Sequence, residues 1–278
     1  MEFSAPAKIN LSLRVVRRRE DGFHEIDSLL VPISLSDRID IELRDDGGLD
    51  FTCDDPGVPA DETNLVVRAA RLFCAEAGIE PQMRIHLEKR IPHGAGLGGG
   101  SSDAAATLLA LDKLSDAAFP RETLLRLAAE LGSDVPFFIL GRPARARGRG
   151  ELLDVSRFPH RLPLLLLKPP FAVPTPWAYQ RWRDSRELPG VRYSAQPQPW
   201  GELVNDLERP VFEKHLLLAT LKSWLLRQPE CAGALMSGSG STVFAVLRDK
   251  ADSNPLADRA AAEFGPTLWC CATETITA

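Results

Sequence analysis

The sequence has 278 residues, long enough for two domains of about 150 residues or for one large one. Lys and Arg total 33 against 38 Asp and Glu, a formal net charge of -5, so the chain lacks the excess of positive charge that binding to nucleic acid requires. The longest strongly apolar run, at 162–167, is far shorter than the roughly 18 residues of a membrane span. We therefore expect no nucleic-acid partner and no membrane span.

The N-terminus and the cysteines indicate the compartment. The first eight residues lack the basic start and the apolar stretch of a signal peptide, so a cytoplasmic location is expected. Five cysteines form no C-x-x-C pair and have no nearby histidine at metal-ligand spacing. They are interpreted as free thiols, with no disulfide and no structural metal.

The hydrophobic pattern of the N-terminal half predicts an antiparallel sheet followed by helices. Residues 8–15 alternate between apolar and polar, which is typical of a half-buried strand and places Lys8 and Asn10 on one face. After the turn at Asp21 and Gly22, the predicted elements are strands at 29–35, 39–43 and 83–87 and helices at 65–77, 102–114 and 124–131.

The hydrophobic pattern of the second half predicts a mixed α+β unit. The arginine-rich stretch at 141–150 is interpreted as an exposed loop, since it shows little periodicity, and a domain boundary is placed between residues 157 and 158. The predicted strands lie at 162–168, 233–236, 242–247 and 267–272, and the predicted helices at 200–208, 211–227 and 250–264.

The glycine-rich segment at 92–102 is the densest chemical motif. Five glycines in seven positions leave backbone N–H groups free to converge, and the following helix adds a partial positive charge, so the segment favours phosphate binding. Ser101 and Ser102 could contact phosphate oxygens or Mg²⁺. The alternative is a flexible turn with a helix cap. Neither a dinucleotide fingerprint nor a P-loop fits, because the preceding sheet is antiparallel and no Gly-Lys-Ser/Thr follows.

Three further features have both a structural and a functional interpretation. A second glycine and serine cluster at 236–242 is either a tight hairpin or a loop that approaches a ligand. Asp134 follows a helix stop and is either a cap or a buried acid, while Lys8 is either a solvated side chain or the cationic partner of that acid. The aromatic residues at 23–24 and 177–182 either pack between domains or stack on a flat ligand.

Together these motifs resemble those of the GHMP kinases, in the expected order along nearly the whole chain. The resemblance rests on the segments 6–11, 21–24, 91–105, 131–136, 174–176 and 236–242. It implies an α+β two-domain GHMP kinase fold, with an N-terminal domain at 1–157 like ribosomal protein S5 domain 2 and a ferredoxin-like C-terminal domain at 158–278. The active site would lie in the cleft between them.

The resemblance also implies roles for individual residues. Asp134 would be the catalytic base and Lys8 its cationic partner. ATP would be held by Asn64 and by the loop residues Pro92, His93, Gly94, Ala95, Gly96, Leu97, Gly98, Gly99, Gly100, Ser101 and Ser102. The acceptor substrate would be held by Asn10, Phe23, His24, Thr175, Tyr179, Gly238, Ser239 and Gly240.

The implied activity is ATP- and Mg²⁺-dependent phosphorylation of a small molecule that carries a cytidine diphosphate group, by a monomer or a homodimer. Phe23 and Tyr179 would stack on the cytosine and His24 would read its polar edge. Phe23 departs from the tyrosine that is commoner in the family and loses a hydroxyl, which puts a polar contact there in doubt. The alternatives are a family member acting on homoserine, mevalonate or a sugar, and a catalytically silent ligand-binding relative.

Overall fold

A computed structural model describes residues 1–248 and 252–277. Contacts within the chain divide it into two compact units, both built from discontinuous segments. Unit 1 contains Met1–Ala7, Leu35–His93 and Gly98–Arg142, and unit 2 contains Lys8–Ser34, Gly94–Leu97 and Pro143–Ala278. The boundary between residues 157 and 158 stays a prediction.

The fold is α+β, as expected, with helices and strands interspersed along the chain. The strands are β1 (Glu2–Arg18), β2 (His24–Leu43), β3 (Leu49–Cys53), β4 (Met83–Glu88), β5 (Ala144–Gly148), β6 (Leu152–Val155), β7 (Pro163–Lys168), β8 (Gln196–Gln198), β9 (Gly201–Asn205), β10 (Cys231–Met236), β11 (Val243–Leu247) and β12 (Trp269–Glu274). The helices are α1 (Leu65–Ala77), α2 (Gly99–Leu114), α3 (Arg121–Leu131), α4 (Val135–Leu140), α5 (Thr175–Arg181), α6 (Glu208–Lys214), α7 (Leu216–Leu226) and α8 (Asn254–Phe264).

Unit 1 packs helices α1 to α4 with a small sheet. Strand β4 pairs antiparallel with the second half of β2 and parallel with β3. Apolar side chains at alternate strand positions, among them Ile39, Ile41 and Ile85, are buried together with the apolar faces of α1 and α2. The predicted helices here are confirmed, although α2 begins at Gly99, earlier than expected.

Unit 2 contains a four-stranded antiparallel sheet in the order β10, β11, β7 and β12. The four central leucines of β7 are all buried, as their continuous apolar run suggests. In the same unit, β9 pairs parallel with β1 and β5 pairs antiparallel with both β2 and β6. The sheets pack with helices α6, α7 and α8 around one apolar core.

Two predicted elements were wrong. The stretch at 141–150 contains strand β5, in which Ala144 and Ala146 are buried and Arg145 and Arg147 are exposed. This is a period of two, overlooked because the inward residues are small. The predicted helix at 200–208 is instead strand β9 at its first part, because backbone pairing with β1 and β8 overrides local propensity.

Several other predictions differ in extent, among them the single helix predicted at 211–227, which is two helices, α6 and α7. The extended runs at 29–35 and 39–43 belong to one long strand, β2. Helix α8 begins at Asn254, and residues 250–251 of the predicted helix lie outside the described residues. Within the described chain, no helix combines the length and apolar character needed to cross a bilayer.

Candidate functional site

Lys8 lies in a polar row of unit 2 that runs across β1 and β2. Its Nζ donates a hydrogen bond of 2.8 Å to Asn10 Oδ1, and Asn10 Nδ2 donates to Ser28 Oγ at 2.8 Å. Ser28 in turn donates to the carbonyl of Ser12. Lys8 is only 5% exposed and Asn10 only 3%, so the ammonium is held in one direction and is not a solvated side chain.

The first part of the glycine loop lies close to the second glycine and serine cluster within unit 2. Ser237 Oγ donates to Gly96 O at 2.9 Å, and the backbone N–H of Thr242 donates to Ala95 O at 3.1 Å. A Cβ on Gly96 would lie 2.2 Å from Ser237 O, so only glycine allows this approach. The structure therefore brings two of the predicted loop segments together.

The same loops adjoin the polar row of Lys8. The backbone N–H of Lys8 donates to Leu97 O at 2.9 Å. A Cβ built on Gly238 would lie 3.5 Å from both Lys8 Nζ and Asn10 Oδ1. Four of the predicted residues, from three predicted roles, thus meet in unit 2 around one buried ammonium group.

The exit of the glycine loop lies in unit 1, where helix α2 begins. Gly98 is the N-cap, with a φ of 73°, and provides no side-chain cap for the first turn. The N–H groups of that turn suit an anion, and backbone without side chains can approach it closely. Ser101 is half-buried, whereas Ser102 is buried and donates to Pro6 O at 2.6 Å.

The other predicted site residues of unit 1 lie at helix starts or in the loop before α2. Asn64 caps helix α1: its side chain accepts from Val66 N and donates to Pro59 O, so both ends have local partners. Asp134 precedes helix α4 but makes no side-chain cap hydrogen bond to it. Asp134 occupies the N-cap position of α4 and is half-buried, so it is neither a side-chain cap nor a fully buried acid. Pro92 is half-buried and His93 is exposed.

An aromatic cluster in unit 2 joins the predicted base-binding segments. The ring centroid of His24 lies 5.4 Å from that of Tyr179 and 6.1 Å from that of Trp182. Burial, and secondarily the charge of Arg18, lowers the pKa of His24 below its ordinary value of 6.5. At neutral pH its imidazole is therefore uncharged and can both donate and accept a hydrogen bond.

The other predicted acceptor residues surround this cluster in different ways. Phe23 is 54% exposed, and the guanidinium of Arg149 lies 4.8 Å from its ring centroid. Thr175, at the start of α5, shares a hydrogen bond of 2.8 Å with Ser239 Oγ. The structure therefore connects α5 to the second glycine loop, while stacking between Phe23 and Tyr179 stays a prediction.

Sequence reasoning missed the side chains that support the second glycine loop. Asn205 Nδ2 donates to Met236 O and to Gly238 O, both at 2.7 Å, while its Oδ1 accepts from Leu207 N. Glu208 accepts from Met236 N and forms a fully buried ion pair with Lys222. The incorrect helix prediction at 200–208 concealed Asn205, which ends a strand instead.

Sequence reasoning also missed a cluster of charged residues in unit 1, formed by Asp37, Lys89 and Asp103. Asp37 lies two residues before Ile39 of β2 and Lys89 two residues after Leu87 of β4, so both continue the inward-facing positions of these strands. Charged residues at apolar positions of an alternating strand were the pattern that could have revealed them.

The candidate ligands for a metal ion are the acidic, histidine and cysteine side chains of residues 1–248 and 252–277. Among the residues the structure describes, no group of three or more could hold a metal ion. This donor set is compatible with Mg²⁺ that arrives with phosphate, because protein Mg²⁺ sites commonly use one or two carboxylates, substrate phosphates and water.

Comparison with known proteins defines the class. Residues 64–142 match the GHMP kinases N terminal domain and residues 194–266 match the GHMP kinases C terminal domain. These matches cover more than half of the chain, which belongs to the GHMP kinase family.

Individual relatives share one name. The chain is 46% identical to a 4-diphosphocytidyl-2-C-methyl-D-erythritol kinase of Methylacidiphilum infernorum, over 95% of this chain and 93% of the relative. It is 42% identical to the kinase of that name from Burkholderia thailandensis, over 90% and 86%. A crystal structure of 4-(cytidine 5'-diphospho)-2C-methyl-D-erythritol kinase matches with a TM-score of 0.83 and 41% identity, covering 100% of both chains.

Proposed function

We propose that this chain transfers the γ-phosphoryl group of ATP to the 2-hydroxyl of 4-diphosphocytidyl-2-C-methyl-D-erythritol. The products are the 2-phosphate and ADP, in the non-mevalonate route to isoprenoid precursors. The observation that carries this proposal is the identity of 42–46% with kinases of this name over at least 90% of the chain.

Asp134 and Lys8 perform the chemistry in this proposal. Asp134 accepts the proton of the 2-hydroxyl as its oxygen attacks the γ-phosphorus, and the bond to the β-phosphate oxygen breaks. Lys8 stabilises the charge of the transferring group. The hydrogen bond from Lys8 to Asn10 supports this role, because a fixed ammonium loses little orientational freedom when the substrate reacts.

The nucleotide phosphates contact the backbone of the glycine loop and the first turn of α2. The uncapped start of α2 supports this, since its N–H groups suit an anion. Mg²⁺ would be held by phosphate oxygens with Ser101, and when bound it would neutralise phosphate charge. Asn64, the N-cap residue of α1, also contributes to nucleotide binding.

The aromatic cluster selects the acceptor substrate by its cytidine group. Its base stacks on Tyr179 and Phe23, and the neutral imidazole of His24 hydrogen-bonds to the polar edge. Thr175, Ser239 and Gly240 line the remainder of the acceptor site. Homoserine, mevalonate and simple sugars have no flat ring, so this aromatic cluster favours the cytidine substrate over those acceptors.

The test is a coupled assay of ADP release with Mg-ATP and 4-diphosphocytidyl-2-C-methyl-D-erythritol, with ³¹P NMR of the product. Asp134→Asn and Lys8→Met should each lower kcat by at least about 100-fold. Asp45→Asn and Lys113→Ala, on exposed residues, are matched controls that should retain activity. Turnover on homoserine, mevalonate or galactose alone, or binding without turnover, contradicts the proposal.

A further inference from the structure

Asp37, Lys89 and Asp103 form a buried cluster in unit 1, which we call the charged clamp. Lys89 Nζ forms ion pairs with Asp37 Oδ2 and with Asp103 Oδ2, the latter at 2.9 Å. The lysine side chain is only 8% exposed and both carboxyl groups are nearly inaccessible. The proposed reaction assigns no role to any of these three residues.

Asp37 holds the segment that enters the glycine loop. Its Oδ1 accepts hydrogen bonds from the backbone N–H of Arg90 at 2.6 Å and of Ile91 at 2.8 Å. These two residues follow the end of β4 at Glu88 and immediately precede Pro92. A carboxylate that accepts two backbone donors fixes the direction in which the chain leaves the sheet.

Lys89 connects this entry to the helix at which the loop ends. Asp103 lies near the start of α2, so its ion pair with Lys89 joins the two ends of the loop. A Cβ on Gly99 would lie 3.3 Å from Lys89 Nζ and 3.0 Å from Ile91 Cγ2. Glycine at the first helical position thus leaves room for the ammonium group beside the helix start.

The charge balance of the clamp is unusual for a purely structural feature. Two carboxyl groups share one ammonium, and Asp103 Oδ1 has no hydrogen-bond partner among the described residues. Burial, reinforced by Asp37 and opposed by Lys89, raises the pKa of Asp103 to about 8. Apolar residues can replace buried ion pairs with little loss of stability, so stability alone does not explain three ionisable groups here.

We propose that Asp37, Lys89 and Asp103 are positioning residues that hold the entry and exit of the glycine loop at a fixed spacing and so preorganise it for nucleotide phosphates. The inference rests on the nucleotide part of the proposed function. Fixing both ends of a loop reduces the conformational entropy that binding would otherwise remove. Loss of the clamp should therefore weaken nucleotide binding more than it weakens the fold.

The primary test is calorimetric titration of the full chain with Mg²⁺ and AMP-PNP, a non-hydrolysable ATP analogue. Lys89→Met removes the ammonium but keeps the length of the side chain, and we expect it to raise Kd by about tenfold. Asp103→Asn keeps an acceptor for Lys89 and should stay within about twofold of the parent chain, whereas Asp103→Leu should weaken binding by about tenfold.

A matched control separates positioning from general destabilisation. Ile85→Ala truncates a fully buried residue of β4 in the same unit and should lower the unfolding midpoint while changing Kd by less than about twofold. Equal weakening by Ile85→Ala and Lys89→Met at matched stability, or no weakening by Lys89→Met, overturns the proposal. If Lys89→Met does not fold, the contrast between Asp103→Asn and Asp103→Leu decides.

A second measurement needs no ligand. In Asp37→Ala, the amides of Arg90 and Ile91 should exchange hydrogen faster, while those of Ile85 and Leu87 keep their protection; unchanged exchange at Arg90 and Ile91 overturns the proposal. AMP-PNP binds without an acceptor substrate. If the clamp variants change Kd for AMP-PNP as expected but the parent chain does not phosphorylate the cytidine substrate, only the proposed acceptor is rejected. Failure of the parent chain to bind AMP-PNP rejects both proposals.

Discussion

The hydroxyl of Ser237 donates a hydrogen bond of 2.9 Å to the carbonyl of Gly96, which lies 141 residues earlier in the chain. This bond, with that from Thr242 N to Ala95 O, fixes the spacing of two glycine-containing segments in unit 2. Both bonds involve backbone carbonyls of the first segment, so backbone groups and a small hydroxyl contribute directly to this arrangement.

Substitution of Gly96 by alanine should therefore disturb both segments. The new Cβ would lie 2.2 Å from Ser237 O, and the φ of +75° is unfavourable for alanine. We expect Gly96→Ala to lower kcat/KM for ATP by at least about 100-fold. Gly190→Ala is the matched control, because Gly190 has a φ of +77° but nothing within 4 Å of its Cβ position; it should cost only about 1–2 kcal/mol of stability. Similar kinetics in the two variants would contradict the steric explanation.

Tyr179 should affect the acceptor and not the nucleotide. Its ring lies beside His24, and Tyr179→Ala removes the stacking surface, so KM for the cytidine substrate should rise by about tenfold with little change in kcat. The measurement is steady-state kinetics with each substrate varied in turn. Trp177→Ala is the control from the same helix, since Trp177 packs against His215 and Lys214. An unchanged acceptor KM in Tyr179→Ala removes this residue from the base site.

Asn205 should act on catalysis through the second glycine loop. Asn205→Ala leaves the buried carbonyls of Met236 and Gly238 without their donor, so we expect a loss of about 2–4 kcal/mol in the free energy of unfolding and a lower kcat. Gln196→Ala is the matched control, because Gln196 bonds to both backbone groups of Ala234 in the same strand but outside the loop. It should destabilise the fold with kcat nearly unchanged. Equal kcat values at a temperature where both variants are folded would argue against a positioning role.

The raised pKa of Asp103 predicts a specific dependence of stability on pH. The unfolded carboxyl titrates near pH 4 and the folded one near 8, so the folded state binds the extra proton between these values and loses stability as pH rises. Asp103→Asn removes this titration while Lys89 and Asp37 still face the site. Its free energy of unfolding should therefore gain about 3–4 kcal/mol relative to the parent chain between pH 5 and about pH 8. Denaturant unfolding at several pH values measures this difference, and a constant difference would show that Asp103 is ionised throughout.

The sequence predicted elements that have strong local patterns. Helix α1 ends at Gly78 as expected, and the apolar run of β7 is a buried strand. Strand β5 was missed because its inward residues are only alanines, and β9 because its pairing partners are distant in sequence. Local periodicity contains no information about such partners.

The same distinction applies to the site. Gly96 was predicted because a glycine-rich segment before a helix is chemically informative by itself, whereas the roles of Lys8 and Asn10 were predicted from the resemblance to the GHMP kinases. Asn205 and Asp37 were missed, since each acts on backbone groups far away in the chain. The contact of Arg149 with Phe23 also depends on tertiary structure, because local sequence does not indicate which partner an exposed arginine will contact.

Under the proposed function, the glycine at the N-cap of α2 links the stability of the fold to the concentration of nucleotide. Ser, Thr, Asp or Asn at that position would satisfy one of the first helical N–H groups and contribute about 1 kcal/mol, but Gly98 has no side chain that could do so. A nucleotide that binds there acts as the cap, and it stabilises the folded state by about 2.7 kcal/mol when its concentration is 100 times Kd. The thermal stability of this protein would then report the supply of nucleotide around it.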